Sequence, residues 1–448
     1  MKNNIKNIIA FGIVASIMNS SIVPVFATEN ISTENLNTSK AAQTYTNSGE
    51  NISVGQGIQN TGNKKTLKLN DAINAAINNS DKFALKSKEI KYYRDKQELQ
   101  EKSTDFNKSL ATNKYSDDVY DYPYDKLELQ EKPTKQSRDF MEDQIASDIT
   151  NKYNDMVLKE IDISKTKRNL ELKKNDLTYL KGKLSLGMAT DNQVADAEIE
   201  LRTLHDDITA KENSLDNNKA YFKVLTDLDL KNAYKLDYEM NYIKFKIDGS
   251  VDDYINDKID KYLKYDTEML KLTKEYMKDL KDEGVKDVMD EDAPKAPDKS
   301  NYISADATGT PAFDSGSYAL SLIGYQQKQQ EYLNKLNVYS QYLDGKYDVA
   351  KAQVKLDDSK KNLKNGLKES YSTLIDLENN IDRLKEQVIS TNTKLRFAKA
   401  QVDMGLMLQN DYDKQVIASE ELDTGLRKLV YAHNNLRDSI EKPWILSN

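Results

Sequence analysis

An apolar residue at every seventh position, sustained over one long stretch, constrains this chain more than any other feature of its sequence. The rungs of this ladder are Ile149, Met156, Ile163, Leu170, Leu177 and Leu184. A spacing of seven keeps a narrow apolar stripe on one side of an α-helix, where a partner helix can cover it. A glycine-containing turn at residues 184–190 follows, and a second ladder leaves it at Val194, Leu201, Ile208, Leu215 and Phe222. The sequence therefore predicts an antiparallel helical hairpin with the turn at its tip.

The same hairpin recurs 218 residues later. The six incoming rungs return as Leu367, Leu374, Ile381, Val388, Leu395 and Val402. The outgoing rungs return in a weaker form, as Tyr412, Ser419, Leu426, His433 and Ile440. Tip residues Gly187 and Asn192 are matched by Gly405 and Asn410. The predicted fold is all-α, with long antiparallel coiled-coil hairpins duplicated in one chain. Because each stripe is one residue wide, the arms need neighbours from the other half of the chain and from other subunits.

The remaining segments divide the chain around these hairpins. Residues 1–27 have the charge, apolar run and small-residue end of a secretory signal, and residues 28–66 have the polar composition of a flexible leader. Residues 67–226 form the first repeat and 251–442 the second, because the opening at Leu67–Asp71 recurs near Val251. We therefore predict an inter-repeat belt at 227–250, whose alternating stretch Tyr242–Ile247 forms either an edge strand or a band across the helices, and a tail at 443–448.

Two further segments interrupt the helical pattern. Residues 104–136 and 282–317 are polar and punctuated by proline, so each is predicted to be a connector between the first helix of a repeat and its long arm.

Composition excludes several classes of function. The formal net charge is −8, and removing Lys2 and Lys6 with the predicted signal leaves −10, which argues against nucleic acid as a partner. The chain has no cysteine, and its two histidines, His205 and His433, lie in no metal-ligand spacing. We find no phosphate-binding loop and no nucleophile motif. The sequence thus predicts no catalysis, no metal, no cofactor and no enzymatic substrate, and it favours a packed or hydrogen-bonded His433.

The ordered, duplicated arrangement of opening helix, long arm, glycine tip and return arm resembles the TolC-type outer-membrane efflux proteins. At the first tip the match is carried by Gly187, Met188, Ala189, Thr190 and Val194. The second tip matches more loosely through Gly405 and Leu406. The resemblance implies a homotrimer whose six hairpins enclose a tunnel, the trimeric α-helical barrel. It also implies an adaptor protein and an inner-membrane pump, predicted to be of the ABC type, as partners.

The tips are the predicted functional site. By the resemblance, Gly187, Met188, Ala189, Thr190, Asn192, Gly405, Leu406 and Asn410 dock the adaptor and form the tunnel entrance. Relatives carry inward carboxylates six and nine positions after the second tip glycine, and those positions hold Asp411 and Lys414 here. Three copies of Asp411 could form an entrance ring. An equally weighted alternative is a carboxylate that stabilises the N-terminus of a helix.

Neither connector contains the alternating apolar segments by which relatives insert into an outer membrane. The sequence therefore predicts an exported protein of the cell envelope or exterior, associated with the wall, and in an outer membrane only if the host has one and the connectors insert. The leading function is a TolC-like export conduit. The alternative is a coiled-coil surface protein with a structural or adhesive role that transports nothing.

Overall fold

The computed structural model describes residues 64–109, 117–305, 309 and 311–446. Within these ranges the chain forms eight α-helices: α1 Leu69–Asn78, α2 Asp81–Lys108, α3 Asp117–Ser185, α4 Asp191–Thr226, α5 Val251–Tyr262, α6 Lys264–Asp282, α7 Ser315–Asp403 and α8 Gln409–Glu441. The strands in the same ranges are β1 Lys65–Leu67, β2 Tyr234–Leu236, β3 Ile303–Ala305 and β4 Pro311–Phe313. The predicted all-α fold is confirmed. The predicted signal, and the leader up to residue 63, lie outside the described residues.

The helices repeat with the same period as the sequence. Helix α3 ends at Ser185 and α7 ends at Asp403, while α4 begins at Asp191 and α8 begins at Gln409. Each pair of boundaries is 218 residues apart. The two hairpins, α3–α4 and α7–α8, therefore have their turns at equivalent residues of the repeat.

The chain divides into two compact units. Among the described residues, 64–84, 138–259 and 363–446 form what we call the hairpin unit, and 85–137 and 260–362 supply what we call the connector unit. Helices α3 and α7 contribute to both units.

In the hairpin unit, α3 has a neighbour on each side. Lys173 of α3 pairs with Glu200 of α4 at 2.6 Å, and Lys165 of α3 pairs with Glu421 of α8 at 2.6 Å. Helix α8 in turn packs on α7, where Gly425 lies against Leu384. The helices are therefore arranged in the order α4, α3, α8, α7, each antiparallel to the next.

The ladder is buried within one chain over part of its length. Ile149, Met156 and Ile163 of the first arm are at most 6 % exposed, and the second arm is buried from Leu367 to Leu395. The covering atoms belong to neighbouring helices of the same chain. Leu170, Leu177 and Leu184 of the first arm and Val402 of the second stay half-buried. One chain therefore covers the rungs far from the tips and leaves those of the tip half partly open.

The segment between the repeats crosses the helices of the hairpin unit. Strand β2 pairs in parallel with β1, so residues 65 and 66, which the leader prediction included, lie in a strand. The hydroxyl of Tyr153 donates to Leu67 O at 2.7 Å, and burial raises the pKa of Tyr153 to about 12. The edge strand suggested for residues 242–247 is wrong. This stretch lies across the helices instead, where the Phe245 amide donates to Glu378 Oε1 at 2.7 Å.

His433 is fully buried, as a residue on the ladder should be. Its Nε2 lies 3.1 Å from Glu378 Oε1, and its ring packs edge-on against Tyr242. The predicted packed, hydrogen-bonded histidine is confirmed. Because Glu378 also accepts from the belt, this buried polar group holds three elements together: α7, α8 and the belt.

The connector unit corrects the prediction for residues 104–136. Most of this range is helical, since α2 runs to Lys108 and α3 begins at Asp117 with Pro123 and Pro133 inside it. The ring of Tyr122 stacks on Tyr276 of α6 with centroids 3.7 Å apart. Buried side chains of α3, of α6 with the residues after it, and of α7 form a small apolar core in this unit: Val119, Tyr122, Tyr276, Met277, Leu280, Val285, Val338 and Tyr342. Packing on this core outweighs the helix-breaking tendency of the prolines.

Residues 282–317 form the irregular connector that the sequence predicts. Two short 3₁₀ turns, Asp287–Met289 and Lys299–Tyr302, precede the antiparallel β3–β4 pair. At the end of the chain, in the hairpin unit, Trp444 stacks on Phe140 and its indole donates to Asp143 Oδ2 at 2.8 Å. No helix among the described residues combines the length and apolar character needed to cross a membrane.

Candidate docking surface at the hairpin tips

Both incoming helices end in the same backbone motif. Gly187 has φ +71° and Gly405 has φ +72°, in the left-handed region that glycine adopts without strain. At the first tip the amide of Met188 donates to Lys183 O at 2.9 Å, and at the second the amide of Leu406 donates to Gln401 O at 2.8 Å. Together with the glycine amides, which donate three residues back, these bonds form Schellman motifs. The glycines therefore shape the turns.

The first outgoing helix begins with a capping box. The side chain of Thr190 accepts from the Gln193 amide at 3.3 Å, and the side chain of Gln193 accepts from the Thr190 amide at 3.0 Å. Two donors at the helix end are satisfied in this way. Thr190, predicted for docking, thus has its hydroxyl engaged within the tip.

The second outgoing helix has no such cap. Its N-cap residue is Leu408, which offers no side-chain acceptor, and the leucine is 67 % exposed. The thioether of Met407 instead lies 3.8 Å from Gln415 Nε2. The second tip therefore has an apolar side chain where the first has a hydrogen-bonding one.

Large apolar side chains surround both tip glycines and are mostly in solvent. Met188 and Leu406, both predicted site residues, are 70 % and 75 % exposed. The structure adds Leu186 and Met404, which the sequence analysis missed, and Leu408, which lies within the predicted second tip, 405–411; each is at least 65 % exposed. The available signal was that these residues are apolar yet lie off the seven-residue ladder. Each tip thus exposes a group of apolar side chains in a chain whose surface is otherwise mostly charged.

The paired asparagines have different environments. Asn192 is exposed, whereas Asn410 is half-buried and donates to Asp176 Oδ1 of α3. Lys414 Nζ also approaches Asp176 Oδ1, at 3.3 Å. The second tip is therefore attached to the first hairpin through one carboxylate, and only Asn192 of the pair is free to face a partner.

Asp411, the candidate ring residue, is exposed in the first turn of α8. This position suits a carboxylate that stabilises the helix N-terminus. Lys414 Nζ lies 3.9 Å from its Oδ1, so a cation accompanies it. The entrance ring stays a prediction, since it depends on further copies of the chain.

Ala189 is half-buried beside the capping box. Among the residues described, no group of three or more histidines and carboxylates is placed to hold a metal ion. His205 is exposed beside Asp206. The tips therefore expose apolar side chains, which suits contact with another protein.

Comparison with known proteins finds the fold but no relative in sequence. No protein-family model matches the chain, and no curated protein matches it. The Campylobacter jejuni outer-membrane channel CmeC superimposes with a TM-score of 0.50 over 92 % of this chain and 94 % of its own, at 14 % identity. The outer-membrane channel OprN gives 0.54 over 84 % and 90 %, at 8 % identity. Both of these proteins are outer-membrane channels, and at these identities the likeness is one of fold. The chain therefore has the fold of the TolC-type outer-membrane channels, as a divergent form of it.

Proposed function

We propose that this protein is the subunit of a TolC-like conduit of the cell envelope, a homotrimer that passes substrates outward. One observation carries the proposal: the two hairpins end in the same Schellman turn at the same point of the repeat, within a chain that has a channel fold. Equivalent hairpins of this kind can alternate around a ring, two from each copy.

The faces at the two ends of the hairpin layer support the assembly. Helix α4 exposes Ile199 and Val224, and α7 exposes Ile389 and Phe397, all more than half in solvent. A layer with apolar residues on both outer helices can bury them by packing copies side by side. The water-filled interior of such a ring would be lined by the charged helix faces.

The tips are the proposed docking surface for an adaptor protein. Met188 and Leu406 project beside their glycines, with Leu186, Met404 and Leu408 around them. Exposed apolar side chains on rigid turns suit a helical partner that packs against them. The ABC class predicted for the pump stays a prediction.

A size and imaging experiment tests the conduit. Native mass measurement of the exported chain should give three times the mass of one chain, and electron microscopy along the symmetry axis should show a central hole. A monodisperse single chain, or a rod without a hole, would contradict the proposal.

A second experiment tests docking. The double variant Gly187→Val with Gly405→Val should lose co-purification with an envelope adaptor while circular dichroism shows nearly unchanged helicity. Gly182→Ala, in the helical part of α3, is the matched control and should keep the adaptor. Unchanged co-purification by the double variant would remove the docking role and leave the conduit open.

A non-transporting surface protein is the second candidate, and one observation favours it. The rungs from Leu367 to Val388 are fully buried within one chain, so this part of the second hairpin does not depend on other subunits for its core. Deletion of the gene would then change wall attachment or cell shape and leave export of drugs and peptides unaltered.

A further inference from the structure

The belt is held at two points by glutamates that occupy equivalent positions of the repeat. Glu160 of α3 and Glu378 of α7 are 218 residues apart. The hydroxyl of Tyr238 donates to Glu160 Oε2, and the amide of Phe245 donates to Glu378 Oε1 at 2.7 Å. One end of the belt segment 238–245 is therefore bound to the first hairpin and the other end to the second.

The two glutamates have different basic partners. Lys219 of α4 places its Nζ 2.6 Å from Glu160 Oε1. His433 of α8 places its Nε2 3.1 Å from Glu378 Oε1. A lysine ordinarily stays charged across the range near neutral pH in which a histidine changes its charge. The contact on the second hairpin can therefore respond to pH where the contact on the first cannot.

The other ring nitrogen of His433 also faces an acceptor. Its Nδ1 lies 3.2 Å from Asn434 Oδ1. The belt sets the orientation of this amide, because Asn434 Nδ2 donates to the Asn241 carbonyl at 2.9 Å. Oδ1 is thus the atom turned towards the imidazole. A neutral imidazole has one N–H and one bare nitrogen, so it donates to only one of its two acceptors, whereas the imidazolium donates to both.

The environment of Glu378 favours the same assignment. Its Oε1 accepts from the Phe245 amide as well as lying beside His433, and a hydrogen bond from a backbone amide stabilises the ionised carboxylate. The pair is then a carboxylate and an imidazolium, which form a charge-assisted hydrogen bond.

Three belt contacts converge on this one histidine. Asn241 is reached through Asn434, Phe245 is reached through Glu378, and the Tyr242 ring packs edge-on against the imidazole with centroids 4.9 Å apart. Loss of one proton from the ring leaves a bare nitrogen facing an acceptor oxygen. The contacts that hold this end of the belt therefore weaken together.

Other titratable groups near His433 come from α7 and from the belt. Lys244 of the belt pairs with Asp382 of α7 at 2.6 Å. Lys385 of α7 has its Nζ 4.4 Å from the centre of the Tyr242 ring. Burial, with Glu378 and Asp382 nearby, raises the pKa of Tyr242 above its ordinary value. The phenol of Tyr242 therefore keeps its proton while an imidazole titrates.

The helices on the remaining sides add no unpaired carboxylate in the described contacts. One turn further along α8, Arg437 pairs with Asp438 at 2.8 Å. Helix α3 meets α8 at this level through neutral side chains, since Asn435 donates to Asn151 at 2.6 Å. Glu378 is thus the acidic partner of His433.

We propose that His433 is a buried imidazolium whose proton fastens the belt to the α7–α8 hairpin, and that this end of the belt is released as the pH rises. The fastened belt binds one more proton than the released one, so its stability falls with increasing pH. The proton goes to solvent, and the end bound to Glu160 keeps its contacts. All of these groups belong to one chain, so the inference goes beyond the proposed conduit and does not depend on it.

Amide exchange followed by mass spectrometry tests the release, because each end of the belt has an amide bonded to a side chain. The Phe245 amide reports on the second hairpin, and the Asp237 amide, which donates to the Tyr153 hydroxyl at 2.6 Å, reports on the first. From about pH 7 to about pH 9, after correction for the intrinsic rates, exchange at Phe245 should rise about tenfold relative to Asp237. An unchanged ratio would overturn the proposal.

Two histidine variants identify the group that titrates. His433→Gln retains an N–H donor for Glu378 and cannot titrate, so the ratio should be the same at both pH values. His205→Gln is the matched control, because His205 is exposed on α4, and it should keep the tenfold change. A pH-dependent ratio that survives in His433→Gln would contradict the proposal.

Nuclear magnetic resonance of the unaltered chain decides the charge state even if His433→Gln does not fold. The chain has two histidines, so labelling them with nitrogen-15 gives two sets of ring signals, which the His205→Gln chain assigns. At about pH 7.5, where an ordinary histidine is mostly neutral, both ring nitrogens of His433 should carry a proton. A bare ring nitrogen in His433 at that pH would overturn the proposal.

Discussion

The two hairpin tips have the same backbone and different side chains. Gly187 and Gly405 agree within one degree of φ, and the amide of each glycine and of the residue after it donates to the equivalent carbonyl. Yet the first tip starts its outgoing helix with the Thr190 capping box and the second with the uncapped Leu408. The comparison teaches that the turn geometry is carried by one glycine and its helix end. The surface around it is free to differ.

The arms below the tips differ as well. Leu177 and Leu395 are identical residues at equivalent positions of the repeat, but Leu395 is buried and Leu177 is half-buried. The second hairpin is thus packed closer to its tip than the first, even though its outgoing ladder is the weaker of the two in sequence.

The largest expected effect separates these two leucines. Leu395→Ala should lower the free energy of unfolding by about 2–4 kcal/mol, because it removes buried methyl groups and leaves a cavity. Leu177→Ala should cost roughly half as much, since water already reaches that side chain. Urea unfolding followed by circular dichroism at 222 nm measures both. Equal losses would mean that another surface covers Leu177 in solution.

The turn glycines should respond alike. Gly187→Val and Gly405→Val should each lower the free energy of unfolding by about 1–2 kcal/mol, from the strain of a left-handed residue with a side chain. A Cβ at either glycine would have no atom within 4 Å of it, so no clash adds to this strain. Gly182→Ala, at a helical position, should instead stabilise by about 0.5–1 kcal/mol. A difference above about 1 kcal/mol between the two valine variants, seen in the same urea titration, would contradict the equivalence of the turns.

The caps should respond in opposite directions. Thr190→Ala should destabilise by about 1 kcal/mol because the Gln193 amide loses its acceptor. Leu408→Thr should stabilise by up to about 1 kcal/mol, since it places a hydroxyl at the uncapped end of α8. Thermal unfolding of both variants checks this. A loss of stability in Leu408→Thr would show that the leucine is already packed in solution.

The smallest effect concerns the attachment of the second tip. Asp176→Ala removes the carboxylate that meets Asn410 and Lys414, and it should cost less than about 1 kcal/mol, as for other surface pairs. Amide exchange at the start of α8 should nevertheless become faster. Lys394→Ala, at the position of the repeat equivalent to Asp176, is the control and should leave that exchange unchanged.

Much of the fold is readable from spacing alone. The seven-residue ladders and the 218-residue period locate both turns, because a helix that buries a stripe must repeat its apolar residues at the helical period. The same reasoning places His433 in the core.

The prolines of the first connector lead to a wrong prediction of secondary structure. Pro123 and Pro133 predict interruptions, yet α3 runs through both because its residues pack on α6 and α7. Local propensity is weaker than tertiary packing at such positions. The stretch at 242–247 alternates like a strand but has no strand to pair with among the described residues, so it lies across α7 and α8.

At the site, the sequence locates the glycines and misses the partners. Asp176 is far from Asn410 along the chain, and its counterpart in the repeat is Lys394, so symmetry gives no hint of this contact. Leu186 and Met404 are missed as well, since the ladder identifies the residues on the stripe and not those beside it, whereas Met188 and Leu406 are predicted through the family resemblance.

The shared turn and the unlike side chains bear on stoichiometry. A partner that binds only the backbone of the Schellman turns would have two identical binding sites on every chain. A partner that contacts the Leu408 side chain would have a single site, because the other tip has Thr190 at the equivalent position. Two bound partners per chain would therefore indicate recognition of the turn backbone, and one would indicate recognition of the Leu408 side chain.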